Sequence, residues 1–290
     1  MLALLFLCLY LIWGATYVVV KVGLEYAPPL TFAALRAAVG GLALSAYALA
    51  ASGRFPRDAA THRVAAFLGV VNVAGFLALL NLGLTRVSAG ESSILTYTQP
   101  LLVALLAWAW LGESLSARSV VGLLLGFAGV VAVVGDKVRV AEHPSWLGYA
   151  YALGGALAWG LGTVYFRARQ ARVDLVWTTA LQSVYGAAPL AVLAVLERPT
   201  LVPSFDLAWT VAFNGLLSSG VAYLIWFYLL RRRTAAEVTG YVFMVPFFAV
   251  LFGALALGER LGPTSLLGAA LILGGIYLVS RRRPAPEKPG

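Results

Sequence analysis

Residues 91–113 read ESSILTYTQPLLVALLAWAWLGE, and residues 237–259 read EVTGYVFMVPFFAVLFGALALGE. The two stretches lie 146 positions apart, and each has an initial Glu, a Pro at its tenth position and a final Leu-Gly-Glu. Both are apolar runs of the length that crosses a bilayer as a helix, about 20 residues. They indicate a membrane protein with an internal repeat.

The offset of 146 residues relates the rest of the chain without a gap. It aligns Trp13-Gly14 with Trp159-Gly160, Lys21 with Arg167, Gly69 with Gly215, Gly122 with Gly268 and Gly129 with Gly275. Hydrophobic composition alone does not produce one constant offset along a whole chain. We interpret residues 1–140 and 146–281 as two repeats, followed by a short basic tail at residues 282–290.

Ten apolar stretches, separated by Pro, Gly or charge, are candidate membrane spans. They lie near residues 1–20, 30–50, 64–84, 91–111, 119–135, 146–166, 175–196, 207–229, 237–257 and 264–280. The first has neither the basic segment nor the cleavage site of a signal peptide, so we interpret it as a retained helix. Five spans per repeat is an odd number, so the second repeat starts on the opposite side of the membrane. The predicted fold is all-α and polytopic, with ten transmembrane helices in two inverted five-helix repeats around a central cavity.

The composition excludes several other classes of protein. Hydrophobic residues make up 61% of the 290 and charged residues 11%, whereas a soluble domain is about 25% charged. Cys8 is the single cysteine, and His62 and His143 have no partners at metal-ligand spacing. We therefore expect no disulfide, no metal, no cofactor and no enzymatic activity.

The net charge of +9 is explained by membrane orientation. Arginine triplets at 231–233 and 281–283 directly follow apolar spans, where anionic lipid headgroups are nearer partners than nucleic acid. With both termini in the cytoplasm, that side carries 14 Lys and Arg residues and the other side 6. The positive-inside rule then places both termini in the cytoplasm, and we expect a bacterial inner membrane.

The sequence resembles the EamA-type ten-helix carriers of the drug/metabolite transporter superfamily over nearly its whole length. The segments that carry the resemblance are Ile12-Trp13-Gly14-Ala15-Thr16-Tyr17 leading to Lys21, Pro28, Arg36, Pro100 with Leu111-Gly112-Glu113, and Pro246 with Leu257-Gly258-Glu259. The resemblance implies a basket of helices with spans 5 and 10 at its periphery. It also implies export of amino acids or related metabolites as the commonest activity.

The main hypothesis is alternating access, in which one half rocks against the other around a midplane site that holds a small zwitterion or related metabolite. One alternative is export of lipophilic cations or drugs, which in related small transporters uses a carboxylate in the first helix. This chain has no acid before Glu25. Another alternative is a sugar- or phosphate-bearing substrate, and a phosphate group would need several buried basic residues. Proton coupling is an open question.

Arg36 is the basic residue placed well inside a span, so it is the first candidate for substrate binding. A buried guanidinium needs a partner or a wet cavity, and it binds a carboxylate bidentately. The structural alternative is an Arg that caps carbonyl groups or reaches the near interface. The repeat aligns Arg36 with Gln182, so the two halves offer different chemistry.

The fourth span carries a polar stripe at helical spacing, formed by Ser92, Thr96 and Gln99. Pro100 follows the stripe and Pro246 occupies the equivalent position, so both are candidate helix breaks for gating. The stripe either lines a cavity or forms hydrogen bonds between helices.

Aromatic and amide side chains supply the remaining candidates for substrate binding. They are Trp13, Tyr17, Tyr97, Trp159 and Tyr241, and the polar residues Asn72, Asn214 and Ser218. Aromatic rings stack on rings or cations, but they also serve packing. The polar residues equally suit hydrogen bonds between helices.

Glu91 and Glu237 are candidates for proton coupling because the repeat places both near a membrane boundary. Each also precedes a helix, where a carboxylate favourably meets the helix dipole, and this structural interpretation is preferred. Gly122-x-x-x-Gly126 suits close helix packing, either in a homodimer or within the chain. We expect a monomer or a weak homodimer.

Overall fold

The structure, a computed structural model, describes residues 2–52, 54–112, 116–140, 145–170, 173–197, 200–232, 244–259 and 262–280. These ranges form ten helices and no strand, as the sequence predicts. The helices are α1 (Leu2–Gly23), α2 (Pro29–Ser52), α3 (Ala59–Leu84), α4 (Ala89–Leu111), α5 (Ala117–Val140), α6 (Trp146–Arg169), α7 (Leu175–Leu196), α8 (Phe205–Arg232), α9 (Val245–Leu257) and α10 (Pro263–Ser280). Six of them, α1 to α4, α7 and α8, are long and apolar enough to cross a membrane.

The two Leu-Gly-Glu motifs end helices in the same way. Gly112 has φ of +65° and Gly258 has φ of +64°, and each is the residue that closes its helix, α4 or α9. A residue with a Cβ is strained at this left-handed φ, so glycine ends the helix at low cost. The repeated sequence thus produces the same local structure in both halves.

The two candidate prolines lie in the first turns of helical segments. Helix α4 is broken at Tyr97 and Thr98, and its second segment starts at Gln99 with Pro100 in the first turn. Helix α9 starts at Val245 with Pro246 in its first turn. The first turn has free N–H groups in any helix, so a proline is tolerated there. The predicted break at Pro100 therefore falls two to three residues earlier, at the turn.

Helices α3 and α8 each contain a widened π-helical segment, Gly69–Gly75 in α3 and Phe213–Val221 in α8. The equivalent glycines Gly69 and Gly215 lie in these segments. A Cβ added to Gly215 would lie 2.8 Å from Cβ of Val39 and 3.0 Å from the carbonyl oxygen of Arg36. Glycine thus lets α8 approach the backbone of α2 closely, and Gly69 does the same for α3 and α7.

The two repeats interlock. Helix α2 packs along α7, α1 along α9, α5 along α10, and α6 against α3 and α4. Each of these pairs joins helices from different repeats. A rigid motion of one repeat against the other would break these contacts, so the expectation of two rocking halves needs revision: bodies that move must combine helices from both repeats.

The glycines of α5 and α10 face each other. A Cβ on Gly129 would lie 2.5 Å from the carbonyl oxygen of Gly268, and a Cβ on Gly275 would lie 2.7 Å from the nitrogen of Gly126. This small-residue face is therefore used for packing within the chain. Neither helix contributes a residue to the central cavity described below, in agreement with their expected peripheral position.

Candidate functional site

A small cavity lies between α1, α2, α3, α4, α6 and α8. Its lining consists of Trp13, Thr16, Tyr17, Arg36, Phe76, Leu80, Tyr97, Trp159, Ser218 and Tyr223. The cavity volume is about 20 Å³, which is room for about one water molecule. The helices are thus closely packed around this site, and a metabolite enters only if they separate.

Arg36 supplies the cavity with a buried positive charge. Its side chain is 2% exposed, and Nη2 donates a hydrogen bond to Oγ of Ser218 at 3.2 Å. Its Nε and Nη1 atoms are buried without a hydrogen-bond partner among the described residues. An uncompensated buried charge costs several kcal/mol. The described lining contains no carboxylate to offset this cost.

Aromatic rings form most of the remaining wall. The rings of Trp13 and Trp159 meet edge to face, with centroids 5.1 Å apart. The centroid of the Trp159 ring also lies 5.1 Å from that of Phe76 and 5.7 Å from that of Tyr97. The centroids of Trp13 and Tyr223 are 6.3 Å apart. The Trp159–Phe76 contact is tilted, at 48° between the ring planes, and the other three are edge to face. Such contacts hold rings in fixed orientations.

Ser218 connects the aromatic wall to the charge. Its hydroxyl accepts the hydrogen bond from Arg36, and its carbonyl oxygen accepts a long one, 3.4 Å, from Nε1 of Trp13. Ser218 lies in the π-helical segment of α8, three residues after Gly215. The close approach of α8 to α2 at Gly215 brings the serine to the guanidinium.

One face of the helix bundle, here called the Lys21 face, is held together by carboxylates from the second repeat. Glu259, after α9, forms an ion pair with Lys21 at 3.1 Å. It also accepts hydrogen bonds from the backbone nitrogens of Ala89 at 2.8 Å and Gly90 at 3.1 Å, in the first turn of α4. A carboxylate is favourable at a helix N-terminus because of the helix dipole.

A second carboxylate closes the same face in a similar way. Glu197, after α7, accepts hydrogen bonds from the backbone nitrogens of Leu30 and Thr31 at 3.1 Å, at the start of α2. Nearby, the hydroxyl of Tyr26 donates to Oδ2 of Asp206 at 3.0 Å, and this hydrogen bond raises the pKa of Tyr26. Both contacts tie the first repeat to the second.

Two segments, residues 1–135 and 146–281, match the EamA-like transporter family. The chain belongs to this family. It is 34% identical over 292 residues to YvbV, an uncharacterized transporter of Bacillus subtilis strain 168, covering 98% of this chain and 93% of YvbV. It is 27% identical over 285 residues to YedA, an uncharacterized inner membrane transporter of Escherichia coli K12, covering 97% and 91% of the two chains.

The fold of this EamA-like chain is found in a protein of known crystal structure. The two structures superpose with a TM-score of 0.72, and their sequences are 24% identical. The superposition covers 96% of this chain and 97% of the chain in the crystal structure. This agreement shows the fold, and the family match identifies the chain as an integral membrane transporter.

Half of the substrate-binding residues that the sequence suggests line the cavity of this EamA-like transporter. They are Trp13, Tyr17, Arg36, Tyr97, Trp159 and Ser218. Tyr241 and Glu237 lie outside the described residues.

The polar stripe of α4 is buried but does not line the cavity. Ser92 and Thr96 are fully buried, and Nε2 of Gln99 donates to Oγ1 of Thr163 on α6 at 3.5 Å. The break at Tyr97 and Thr98 separates Gln99 from the segment that carries Ser92 and Thr96, so the spacing of a regular helix does not extend to Gln99. Tyr97, at the break, is the residue of α4 that reaches the cavity.

The two asparagines also lie outside the lining. Asn72 packs against α6, where a Cβ on Gly162 would lie 2.9 Å from Cβ of Asn72. Nδ2 of Asn214 donates to the carbonyl oxygen of Thr210, one turn earlier in α8. The contact of Asn72 with α6 is therefore packing, and the hydrogen bond of Asn214 lies within α8 rather than between helices.

Glu91 is part of a capping box at the start of α4. Its Oε2 accepts hydrogen bonds from the backbone nitrogen of Ser88 at 3.1 Å and from its hydroxyl at 2.7 Å, and the serine hydroxyl accepts one from the Glu91 nitrogen. This is the helix N-terminal arrangement that the sequence favours for Glu91.

Arg231 and Arg232 make protein contacts. Nη2 of Arg231 donates to the carbonyl oxygens of Gln170 and Val173, at the turn between α6 and α7. The guanidinium of Arg232 lies 4.7 Å above the ring of Tyr228. Residues 233 and 281–283 of the arginine triplets lie outside the described ranges.

Four lining residues are absent from the sequence-based set: Thr16, Phe76, Leu80 and Tyr223. Thr16 follows Trp13 by three residues, so helical spacing could have found it. Phe76 and Leu80 carry no distinctive chemistry. Tyr223 lies five residues after Ser218, and the two share the cavity because the π-helical segment changes the spacing of α8.

Proposed function

We propose that this transporter binds a small carboxylate-bearing metabolite, an amino acid or a related compound, in the cavity at Arg36 and exports it across a bacterial inner membrane. The supporting observation is the guanidinium whose Nε and Nη1 atoms have no acceptor among the described residues. A carboxylate offers two oxygens in the geometry that a guanidinium binds bidentately. Its negative charge would also offset the buried positive charge.

The charge of the lining argues against both alternatives. A lipophilic cation would be repelled by Arg36 and would find no carboxylate among the described lining residues. A phosphate monoester carries a charge of about −1.5 to −2 at neutral pH, which one arginine only partly balances. An uncharged sugar would leave the buried charge of Arg36 uncompensated.

Alternating access fits the packing if the moving bodies combine helices of both repeats. Helix α1 packs with α8 and α9, and the equivalent group is α6 with α3 and α4. Separation of these two groups on one side would open the closed cavity to that side. The charge count supports a position of the Lys21 face outside the cytoplasm, and the family resemblance supports the outward direction of transport.

The test is reconstitution of the purified chain into liposomes with a panel of labelled amino acids, sugars and organic cations, with and without a pH gradient. We expect at least one carboxylate compound to move faster than in empty liposomes, and Arg36→Gln to reduce this difference at low substrate concentration. Transport of cations without transport of any carboxylate would contradict the proposal. So would a panel in which no compound moves faster than in empty liposomes.

A further inference from the structure

We propose that the cavity selects an aromatic monocarboxylate and does not recognise an α-ammonium group. Aromatic acids that lack the amine should therefore bind at least as tightly as the corresponding amino acids. The inference rests on the proposed function, since it names the substrate class of the same cavity.

The apolar part of the lining favours a planar ring. Six of the ten lining residues are aromatic, and Leu80 is the one aliphatic side chain among them. The ring of Trp159 already meets those of Trp13 and Phe76, each at a centroid distance of 5.1 Å. Such pairs prefer edge-to-face or offset geometry, and a further ring inserted among them would find both faces and edges to contact.

The charge of the lining favours a ligand whose carboxylate has no positively charged group beside it in the same molecule. Arg36 is the charged residue among the described lining residues. When it holds the carboxylate of an amino acid, the α-ammonium group lies within about 5 Å of the guanidinium, where like charges repel strongly in a site that excludes water. No carboxylate of the described lining compensates for this repulsion.

The polar atoms of the lining give an ammonium group little compensation. The acceptors that the described lining offers an ammonium group are all uncharged. They are Oγ1 of Thr16, which donates its own hydrogen to the carbonyl oxygen of Ile12 at 2.8 Å, the two oxygens of Ser218, each of which already accepts one hydrogen bond, and the tyrosine hydroxyls. Ring faces also attract an ammonium group, but they carry no net negative charge. A neutral oxygen replaces water around an ammonium group but does not offset its charge.

Four compounds with closely matched carbon frameworks separate these contributions. They are 3-phenylpropanoate, phenylalanine, phenethylamine and 3-cyclohexylpropanoate. Their dissociation constants for the full chain, purified in detergent, can be compared by isothermal titration calorimetry. Binding is preferred to transport here because the uncharged form of an aromatic acid crosses lipid unaided.

We expect 3-phenylpropanoate to bind as tightly as phenylalanine or more tightly, and phenethylamine to bind at least about tenfold more weakly, a difference of about 1.4 kcal/mol. 3-Cyclohexylpropanoate should bind about threefold more weakly or worse, because it lacks the ring geometry. Phe76→Leu keeps an apolar side chain and should narrow the difference between phenyl and cyclohexyl acids. Arg36→Gln should remove the advantage of the carboxylate over phenethylamine.

Several outcomes would overturn this inference while leaving the proposed function intact. One is tenfold tighter binding of phenylalanine than of 3-phenylpropanoate, which would show recognition of the ammonium group. Others are tighter binding of the cyclohexyl acid, or binding of aliphatic amino acids when no phenyl compound binds. If no carboxylate binds and phenethylamine does, the proposed function fails as well.

Discussion

Oε1 of Glu259 lies 3.1 Å from Nζ of Lys21 and 2.8 Å from the backbone nitrogen of Ala89. One carboxylate thus joins the end of α1, the start of α4 and the turn after α9. The contact links helices of both repeats at the Lys21 face, beside a surface recess that includes Glu25 and Thr85. In an alternating-access cycle, these contacts must break when that face opens.

Glu259→Gln should destabilise the closed arrangement of this face. The substitution removes the ion pair and weakens hydrogen bonds to a charged acceptor, each worth about 1.5–3 kcal/mol. We expect Leu84→Cys, in a chain with Cys8→Ser, to react faster with a polar thiol reagent in the variant, because Leu84 lines the same recess and is buried in the closed arrangement. Glu25→Gln is the matched control, because Glu25 lines the same recess but is exposed. Equal labelling rates in the Glu259→Gln chain and the control would contradict this role.

Gly275→Ala should lower stability, whereas Gly274→Ala should not. A Cβ on Gly275 would lie 2.7 Å from the nitrogen of Gly126, while a Cβ on Gly274 meets nothing within 4 Å. Forced overpacking costs about 1–3 kcal/mol, and alanine is otherwise the better helix former. Thermal unfolding of the two variants in detergent, followed by gel filtration, measures the difference. Equal midpoints would show that α5 and α10 do not pack as described.

Ser218→Ala should weaken substrate binding without removing it. The serine hydroxyl holds Nη2 of Arg36, and loss of one such hydrogen bond costs about 1 kcal/mol, or about fivefold in affinity. Ser219→Ala is the matched control, because Ser219 is equally buried but does not line the cavity. The measurement is the half-saturation concentration of a carboxylate substrate in liposomes. A larger effect of Ser219→Ala would contradict the assigned contact.

The fold could be predicted from the sequence because the bilayer imposes a strong constraint. A spanning segment must be apolar and satisfy its own backbone, so helices can be read from hydrophobic length. The 146-residue offset then gave the repeat. The interlocking of α2 with α7 and of α1 with α9 could not be predicted, because lipid and neighbouring helices are equally apolar partners. A helix partner differs from lipid only where the two backbones approach closely, as α8 and α2 do at Gly215.

The site was predictable where a residue type is unusual in a membrane span. Arg36 was found for this reason, whereas Trp13 and Trp159 were found because the repeat places two aromatic residues at equivalent positions, and all three line the cavity. The prediction of the polar stripe of α4 depended on regular helical spacing, and such spacing does not hold where a helix is irregular. The break after Thr96 takes Gln99 out of the expected stripe, and the π-helical segment brings Tyr223 into the cavity with Ser218.

Substitution of Arg36 tests whether the guanidinium holds the substrate. Arg36→Gln removes the charge and keeps a polar side chain, and Arg36→Lys keeps the charge but loses bidentate geometry. Gln182→Leu is the control, since Gln182 is equivalent in the repeat and fully buried but lies outside the cavity lining. Gel filtration shows whether each variant folds. If Arg36→Gln does not fold, Arg36→Lys still tests whether the bidentate geometry of the guanidinium matters.

The most direct measurement is the half-saturation concentration for carboxylate transport by these variants in liposomes. We predict that it rises at least about tenfold in Arg36→Gln, a loss of about 1.4 kcal/mol or more, and by a smaller factor in Arg36→Lys. Gln182→Leu should stay within about twofold of the unaltered chain. A folded Arg36→Gln protein that transports the carboxylate with unchanged half-saturation would contradict the account.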